Sequence, residues 1–186
     1  IYVHTIVKAS LHGAELTNSL LAFARKQPLK PQSVNILDLL SGMRSLLLST
    51  LGEQIDLLIR GGGELSVAQV DPIQFKSAII NLCLNARDSM PQGGHLEIDI
   101  NSVSVQARLD HLSEGPAPGE YVRISIRDHG EGIAPEIIDR VFEPFFTTKP
   151  PGEGTGLGLA VVHGIVKFHG GLIDVSSKPG SGTSFT

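Results

Sequence analysis

Several classes of protein are excluded by what this sequence has in short supply. Its 186 residues include a single cysteine, Cys83, so no disulfide framework can form within the chain. We expect no signal peptide, and the printed sequence contains no apolar run long enough to span a bilayer. The net charge is −4 and Lys and Arg form no block, so nucleic acid is not an expected partner. We therefore expect a cytoplasmic chain that makes no membrane contact itself, although a parent protein could be larger and membrane-bound.

Three common ligand-binding signatures are also missing. There is no HExxH and no cluster of Cys and His, which argues against a zinc site. The glycine spacing does not match the P-loop pattern GxxxxGK[ST]. It also fails the Rossmann pattern, because no GxGxxG follows a strand in a βαβ unit.

The most informative stretch is Asp128 to Leu159. The residues before it, Tyr121 to Arg127, alternate between apolar and polar, which predicts a half-buried strand. Asp128 then lies at the end of that strand, where Gly130 and Gly132 let the backbone turn and approach a ligand closely. Because an ionised carboxylate only accepts hydrogen bonds, Asp128 suits an amino group such as that of adenine.

A second glycine cluster precedes an apolar helical run from Leu157 to Phe168. Glycines before a helix N-terminus expose backbone N–H groups at the positive end of the helix dipole, which favours phosphate binding. The candidate phosphate-loop residues are Gly154, Thr155, Gly156, Leu157 and Gly158. Either glycine cluster alone is more often a turn, but the two together are more specific.

Asp71 to Met90 is predicted to form a helix. Asp71 is a natural N-cap, Pro72 fits the first helical position, and Gln74 completes a capping box. Apolar residues recur on one face, and the opposite face carries Asn81, Asn85 and Asp88. A solvated polar face is the ordinary interpretation. Two aligned asparagines favour a functional one, because asparagine forms helices poorly and its side-chain oxygen suits Mg²⁺ beside phosphates.

The rest of the chain alternates between helices and strands. Other helices are predicted at Ile1–Lys26, Val34–Leu51 and about Pro135–Val141, and other strands at Gln54–Arg60, Glu64–Val70, Leu96–Asn101, Leu172–Ser176 and Thr183–Thr186. The glycines at 61–63 predict a hairpin between the first two of these strands. Elements in this order predict an α/β two-layer sandwich.

The sequence resembles the catalytic domain of sensor histidine kinases, because four of that family's motifs occur in the family's order over roughly half the chain. Asn81–Asp88 is similar to their N box, and Asp128-x-Gly130-x-Gly132 to their G1 box. Phe142–Lys149 resembles their F box, and Gly154–Leu159 their G2 box. The resemblance implies the Bergerat ATP-binding fold of the GHKL superfamily, over residues 31–186.

The resemblance also implies a role for each candidate residue. Asp128 would bind the adenine of ATP, Asn85 would coordinate Mg²⁺, and Asn81 would support the metal or the phosphates. Lys149 is the only cation between Phe142 and Leu159 and is the best candidate to reach the β- and γ-phosphates. The expected catalytic residues are Asn81, Asn85 and Lys149. The expected ATP-binding residues are Asn81, Asn85, Asp88, Asp128, Gly130, Gly132, Thr148, Lys149, Gly154, Thr155, Gly156, Leu157 and Gly158.

Residues 1–30 resemble the second helix of the dimerisation and histidine-phosphotransfer hairpin. Apolar residues from Tyr2 to Phe23 are spaced as a heptad seam, which predicts a homodimer. The helix that carries the phosphoacceptor is expected to be absent, because neither His4 nor His12 is followed by the acidic residue of an H box. The resemblance implies transfer of the γ-phosphoryl group of ATP to a histidine outside this chain. A response-regulator receiver domain would then accept it on an aspartate.

Two other functions remain open at this point. Related GHKL ATPases hydrolyse ATP with a glutamate as general base where this chain has Asn81, and an amide cannot accept a proton at neutral pH. The other is a nucleotide-binding pseudokinase or scaffold. The intact motifs argue against it, while the missing H box leaves it possible.

Overall fold

Alternating apolar residues build a five-stranded sheet, and three helices pack against the face on which those residues lie. The computed structural model describes residues 30–61, 66–105, 117–150 and 154–186. In chain order the elements are β1 (Gln32–Asn35), α1 (Ile36–Leu51), β2 (Ile55–Gly61), β3 (Val67–Val70), α2 (Pro72–Asp88), β4 (Gly94–Val105), β5 (Gly119–Asp128), a 3₁₀ helix (Pro135–Arg140), α3 (Gly158–Phe168), β6 (Val175–Ser177) and β7 (Thr183–Phe185).

The sheet has the order β2-β4-β5-β7-β6, in which β2 is parallel to β4 and the other neighbours are antiparallel. β1 and β3 form a separate two-stranded antiparallel sheet. A parallel pair needs a crossover connection, and here α2 lies in the connection from β2 to β4. The arrangement confirms the predicted α/β two-layer sandwich.

The core lies between the helices and one face of the sheet. β4 contributes alternate residues, Leu96, Ile98 and Ile100, which are at most 1% exposed. Leu40 of α1 is completely buried against the same cluster. Cys83 of α2 is also buried, and this burial raises the pKa of its thiol to about 12. Because every layer contributes, removing this apolar surface from water fixes the helices on the sheet.

The predicted hairpin between β2 and β3 is wrong, because the two strands lie in different sheets. β2 pairs with β4, where Leu57 lies opposite Leu96 and both side chains are buried. β3 pairs with β1 instead. The glycine turn signal is local, whereas the pairing is decided by the buried row of apolar residues that β4 offers. Residues 62–65 lie outside the described part of the chain.

The helix predicted from Val34 begins two residues later, because Val34 belongs to β1. Asn35 is the N-cap of α1, and its side-chain oxygen accepts hydrogen bonds from the N–H groups of Leu37 (3.0 Å) and Asp38 (3.2 Å). An asparagine in this position satisfies N–H groups that have no partner within the helix. The strand β1 itself was not predicted.

Asp71 is the N-cap of α2, as predicted, with its Oδ1 accepting from the N–H groups of Ile73 (2.9 Å) and Gln74 (3.2 Å). In the predicted capping box the Asp71 N–H would donate to the Gln74 side chain, but a different residue is the acceptor. The Asp71 N–H donates to His169 Nε2 (2.9 Å) at the end of α3, because the fold brings that helix end to the start of α2. Since Nε2 accepts, His169 carries its proton on Nδ1 and donates to Ile165 O (2.7 Å).

The helix predicted at Ile1–Lys26 lies outside the described residues, which begin at Lys30, as do His4 and His12. Within the four described ranges, no helix has the length and apolarity needed to cross a bilayer.

The turn after β5 packs closely on the end of α2. The Glu131 N–H donates to Ser89 O (3.1 Å), and the Gly180 N–H donates to Glu131 O (2.7 Å). A Cβ at Gly130 would collide with both the hydroxyl and the carbonyl of Ser89. Glycine is therefore required here for a close backbone approach.

Asp71→Ala should lower the free energy of unfolding by about 1 kcal/mol at neutral pH, because α2 loses its N-cap. The effect should depend on pH. The Lys30 N–H, together with the two capping N–H groups, holds the pKa of Asp71 below its ordinary 3.8. The stability that Asp71 contributes is therefore complete above pH 3.8 and is lost as the pH falls through the lower pKa of the folded state. Urea unfolding followed by circular dichroism measures the difference.

The matched control is Asp71→Asn, which should lose less stability because an amide oxygen also caps a helix. Equal stability of the wild type and the alanine variant at neutral pH would contradict the role of the cap.

Gly130→Ala should lower the free energy of unfolding by about 1–3 kcal/mol, as expected for overpacking against backbone. Gly42→Ala is the control, because Gly42 lies within α1 and a Cβ there meets nothing within 4 Å. The control should be neutral or gain up to about 1 kcal/mol from better helix propensity. Equal thermal stability of the two variants would show that the Gly130–Ser89 contact can relax freely.

Candidate functional site

Asp128 ends β5 as a carboxylate that is only 4% exposed. Its Oδ1 accepts from the backbone N–H groups of Gly130 (2.9 Å) and Thr183 (3.2 Å). The Ser89 hydroxyl, which donates to Ala86 O (2.7 Å), lies 3.3 Å from the same oxygen. Since all these contacts, among the described residues, involve Oδ1, the orientation of the carboxylate is fixed and Oδ2 can accept a bond from a ligand.

The face of α2 that carries the amide side chains of Asn81 and Asn85 lies beside the start of α3. A Cβ at Gly158 would lie 3.8 Å from Asn81 Oδ1 and 3.9 Å from Asn85 Nδ2. Both asparagines are partly buried, so the solvated-face interpretation is wrong for them. The fold therefore brings the two predicted asparagines to the helix N-terminus that was predicted to bind phosphate.

Asn85 has an unsatisfied polar group in this site. Its Nδ2 atom is buried and has no hydrogen-bond partner in the part of the chain that the structure describes. A buried polar atom without a partner costs about 1–3 kcal/mol, so its presence points to a ligand. Rotating the amide by 180° would exchange Nδ2 and Oδ1, which would offer an oxygen to a cation. No group of three or more His, Cys, Asp or Glu side chains in the described ranges could hold a metal ion. A cation held by few protein oxygens, such as Mg²⁺, fits this donor set.

Two predicted ATP-binding residues, Lys149 and Asp88, form an ion pair between Nζ and Oδ2. Arg87 donates to Asp88 Oδ1 (2.9 Å) and to Thr50 O (3.1 Å) at the end of α1. Partial burial raises the pKa of Asp88, but the hydrogen bonds and charges of Lys149 and Arg87 outweigh it and hold the pKa below its ordinary value. Asp88 is therefore ionised, and it connects Lys149 of the F-box segment to Arg87 of α2.

Thr148 of the F-box segment and the phosphate-loop residues differ in exposure. Thr148 is exposed, and a Cβ at Gly154 would lie 3.1 Å from Lys149 Cδ. Leu157 has a completely buried side chain, and its N–H donates to Thr155 Oγ1 (3.3 Å). Leu157 thus anchors the loop in the core and offers a ligand no side chain.

A backbone hydrogen bond joins the F-box segment, Phe142–Lys149, to the phosphate loop. Both residues that form it have positive φ. Phe145 has φ 68° and is 61% exposed, and its N–H donates to Gly156 O (2.8 Å). Gly156 has φ 64°, and a Cβ there would collide with the Phe145 backbone. A bulky residue at positive φ costs about 1–3 kcal/mol, and it persists only where its surroundings impose it. Phe145 does not anchor this segment to the core, because its side chain is largely exposed.

The neighbouring aromatic residues do anchor this segment. Phe142 stacks on His163 of α3 (5.3 Å between ring centres) and meets Phe185 edge to face (6.2 Å). Phe146 lies under the guanidinium of Arg140 (4.5 Å). The segment from Phe142 to Lys149 is therefore fixed at both Phe142 and Phe146, on either side of the exposed Phe145.

Two residues of the site were missed from the sequence. Ser89 and Thr183 both contact Asp128 Oδ1, from the end of α2 and the start of β7. Ser89 directly follows the N-box residues, so its position was a usable signal. Thr183 follows Gly180 and Gly182 in a turn, but nothing local links it to Asp128.

Known proteins share both the sequence and the fold of this site. Residues 70–186 match the family of histidine kinase-, DNA gyrase B-, and HSP90-like ATPases. The chain is 40% identical over 174 residues to the sensor kinase CckA of Brucella abortus (strain 2308), covering 93% of this chain and 18% of CckA. It is 39% identical over 133 residues to the sensor histidine kinase ZraS of Escherichia coli (strain K12), covering 72% of this chain and 25% of ZraS. The chain thus spans a quarter or less of these two relatives.

The solved structure of full-length ShkA in complex with AMPPNP is also similar, with a TM-score of 0.76 and 26% sequence identity. The similarity covers 99% of this chain and 37% of ShkA. The motifs, the fold and the matched family agree with one another. The chain belongs to the histidine kinase-, DNA gyrase B-, and HSP90-like ATPase family, and it is a catalytic ATP-binding domain of the sensor histidine kinase type.

Proposed function

We propose that this chain binds ATP with its adenine against Asp128 and its phosphates against the N-terminus of α3, and transfers the γ-phosphoryl group to a histidine. The observation that carries the proposal is the pair of amides, Asn81 and Asn85, facing Gly158 across the α2–α3 contact. Asp128 supplies a fixed acceptor for the adenine amino group. The amides and the helix dipole supply the polar end of the site, where phosphates would lie.

Transfer is favoured over hydrolysis because the site lacks a suitable base at Asn81. Hydrolysis needs a group that takes a proton from water, and a neutral amide cannot do so. Asp88, the nearby carboxylate of α2, is held in an ion pair by Lys149 and has a lowered pKa, so it is a poor base. A histidine nucleophile needs no such base, since its ring nitrogen can attack phosphorus directly.

Positioning and charge neutralisation supply most of the catalysis in phosphoryl transfer. The backbone N–H groups at the start of α3 would hold the phosphates, and Asn81 and Lys149 would orient the β- and γ-groups. Thr148, Gly154 and Thr155 would surround the phosphates. Gly130 and Gly132 would leave space for the adenine base. The γ-phosphorus then forms a bond to the histidine nitrogen as its bond to the bridging oxygen breaks, and ADP leaves.

Asn85 is proposed as the Mg²⁺ ligand, through its side-chain oxygen. The support is its buried amide without a partner among the described residues, beside the proposed phosphate position. Bound Mg²⁺ would neutralise charge on the β- and γ-phosphates. Two or more of its remaining ligands would be water or phosphate oxygens, as Mg²⁺ usually retains.

Membership of the sensor histidine kinase type supports two proposed partners. The phosphorylated histidine would pass its phosphoryl group to an aspartate of a response-regulator receiver domain. The heptad seam between Tyr2 and Phe23 supports a homodimer through residues 1–30. No particular contact among the described residues favours the scaffold alternative, and binding without transfer would be its signature.

Asp128→Asn should weaken ATP binding about 10–100-fold, because a charged acceptor worth about 1.5–3 kcal/mol is lost and an amide donor can face the adenine amino group. Calorimetric titration with ATP measures the change. Asp139→Asn, in the exposed 3₁₀ helix, is the matched control and should bind as the wild type does. An unchanged ATP affinity in a folded Asp128→Asn variant would show that adenine is recognised elsewhere.

Mg²⁺ should strengthen ATP binding by the wild type, and Asn85→Ala should reduce that gain by roughly tenfold, or about 1.4 kcal/mol. Asn101→Ala, at an exposed position of β4, is the control. The wild type and the Asn101→Ala control should release almost no inorganic phosphate, but they should phosphorylate a separately supplied histidine-phosphotransfer hairpin. Steady phosphate release would favour a hydrolase, and ATP binding without transfer to any hairpin would favour the scaffold.

A further inference from the structure

The side chain of Ser177, in β6, joins the two turns beside Asp128. Its Oγ accepts a hydrogen bond from the Ile133 N–H (2.8 Å), just after the glycine turn that follows β5. The same atom lies 2.9 Å from Gly182 O and 2.9 Å from Thr183 Oγ1, where the β6–β7 turn meets β7. The side chain is partly buried and belongs to none of the four sequence motifs. One hydroxyl therefore links β6, β7 and the turn after β5.

Only one placement of the hydroxyl hydrogens puts a hydrogen in each of these contacts. A serine hydroxyl has one hydrogen to donate and two lone pairs that accept. The Ile133 N–H takes one lone pair, and the hydrogen goes to Gly182 O, which is a carbonyl and cannot donate. The Thr183 hydroxyl must then donate to Ser177. Every hydrogen-bonding position of Ser177 is used within the protein, so its effect on a ligand has to pass through other residues.

The two joined turns each supply one N–H group to Asp128 Oδ1. The Gly130 N–H donates from the turn after β5 (2.9 Å), and the Thr183 N–H donates from the end of the β6–β7 turn (3.2 Å). Because both bonds go to Oδ1, the direction in which Oδ2 points depends on how the two turns lie against each other. The side chain that joins the turns therefore bears on the acceptor that a ligand would meet.

Ser177 holds the same peptide unit that bonds to Asp128. Gly182 O, which accepts from Ser177, and the Thr183 N–H, which donates to Asp128, are the two ends of one peptide group. Because a peptide group is planar, a bond that holds its C=O also sets the direction of its N–H. A backbone bond from the Gly180 N–H to Glu131 O (2.7 Å) also joins the turns, but Gly180 lies three residues before Thr183.

We propose that Ser177 is a positioning residue for adenine recognition: by holding the Gly182–Thr183 peptide group, it sets the orientation of the Asp128 carboxylate. The proposal rests on the proposed function, because it takes Asp128 as the group that binds the adenine amino group. Without the Ser177 hydroxyl, Gly182 O would lose its partner and the peptide group could tilt. The carboxylate would then meet the amino group at a poorer angle, which weakens a hydrogen bond steeply.

Ser177→Ala, made in the full chain, should weaken ATP binding about threefold to tenfold in calorimetric titration, the range for one misaligned hydrogen bond. Ser176→Ala is the matched control, because Ser176 is the exposed neighbour on the same strand, and it should bind ATP as the wild type does. Ser177→Cys keeps the size of the side chain but is a weak donor and acceptor, so it should show a similar loss. The cysteine variant keeps the proposal testable if the alanine variant does not fold.

The loss should depend on the amino group of the base. Purine riboside 5′-triphosphate, which is ATP without its 6-amino group, should bind to the wild type and to Ser177→Ala with affinities within about twofold of each other. In an Asp128→Asn background, Ser177→Ala should change ATP affinity less than about twofold, because the carboxylate that it positions is absent. Circular dichroism melts of the same samples show that binding is compared between folded variants.

An equal loss of affinity for ATP and for the analogue would mean that Ser177 only stabilises the fold around the site, and would overturn the proposal. So would normal ATP binding by both Ser177 variants while Asp128→Asn binds weakly. Normal ATP binding by Asp128→Asn would instead overturn the adenine assignment in the proposed function, on which this proposal rests. The two failures are therefore distinguishable.

Discussion

The division of the α2 surface is the constraint on which the rest of the structure depends. One face buries Phe75, Leu82 and Ala86 in the core, while another presents Asn81 and Asn85 to the start of α3. Because both sets lie on one rigid helix, α2 cannot shift to improve the core without moving the amides. The candidate site therefore inherits the rigidity of the core, which is what positioning of phosphates requires. The buried Asn85 Nδ2, which has no hydrogen-bond partner among the described residues, is the cost of that arrangement.

The sequence was sufficient wherever the signal was local. β5 shows its period of two, and α2 shows its N-cap and its two faces, so the elements that carry Asp128 and the asparagines could be located. Strand pairing depended on distant residues. The glycines at 61–63 gave a turn signal, but Gly61 continues β2, which gains more from the buried row of β4. β1 is too short and too exposed to show a period.

The candidate site follows the same rule. The residue types that would contact ATP could be recognised from motifs, while the contacts that hold them could not. Ser89, Thr183 and His169 each support a residue far away in the sequence or across a helix end. Hydrogen bonds of this kind exist only after the layers have packed, so no local pattern reports them. His169 shows this most clearly, since it replaced a local capping partner that the sequence did offer.

The Lys149–Asp88 ion pair connects the segment from Phe142 to Lys149 to α2 and bears on how a ligand could enter. If Lys149 binds phosphate as proposed, its contact with Asp88 would weaken, because the two anions would share one ammonium group. The pair is partly exposed, and such pairs contribute only about 0–1 kcal/mol, so the weakening would cost little. Asp88 would keep its bonds to Arg87, which avoids an unpaired carboxylate on α2. The pair can therefore hold the loop near the site before binding without resisting the ligand when it arrives.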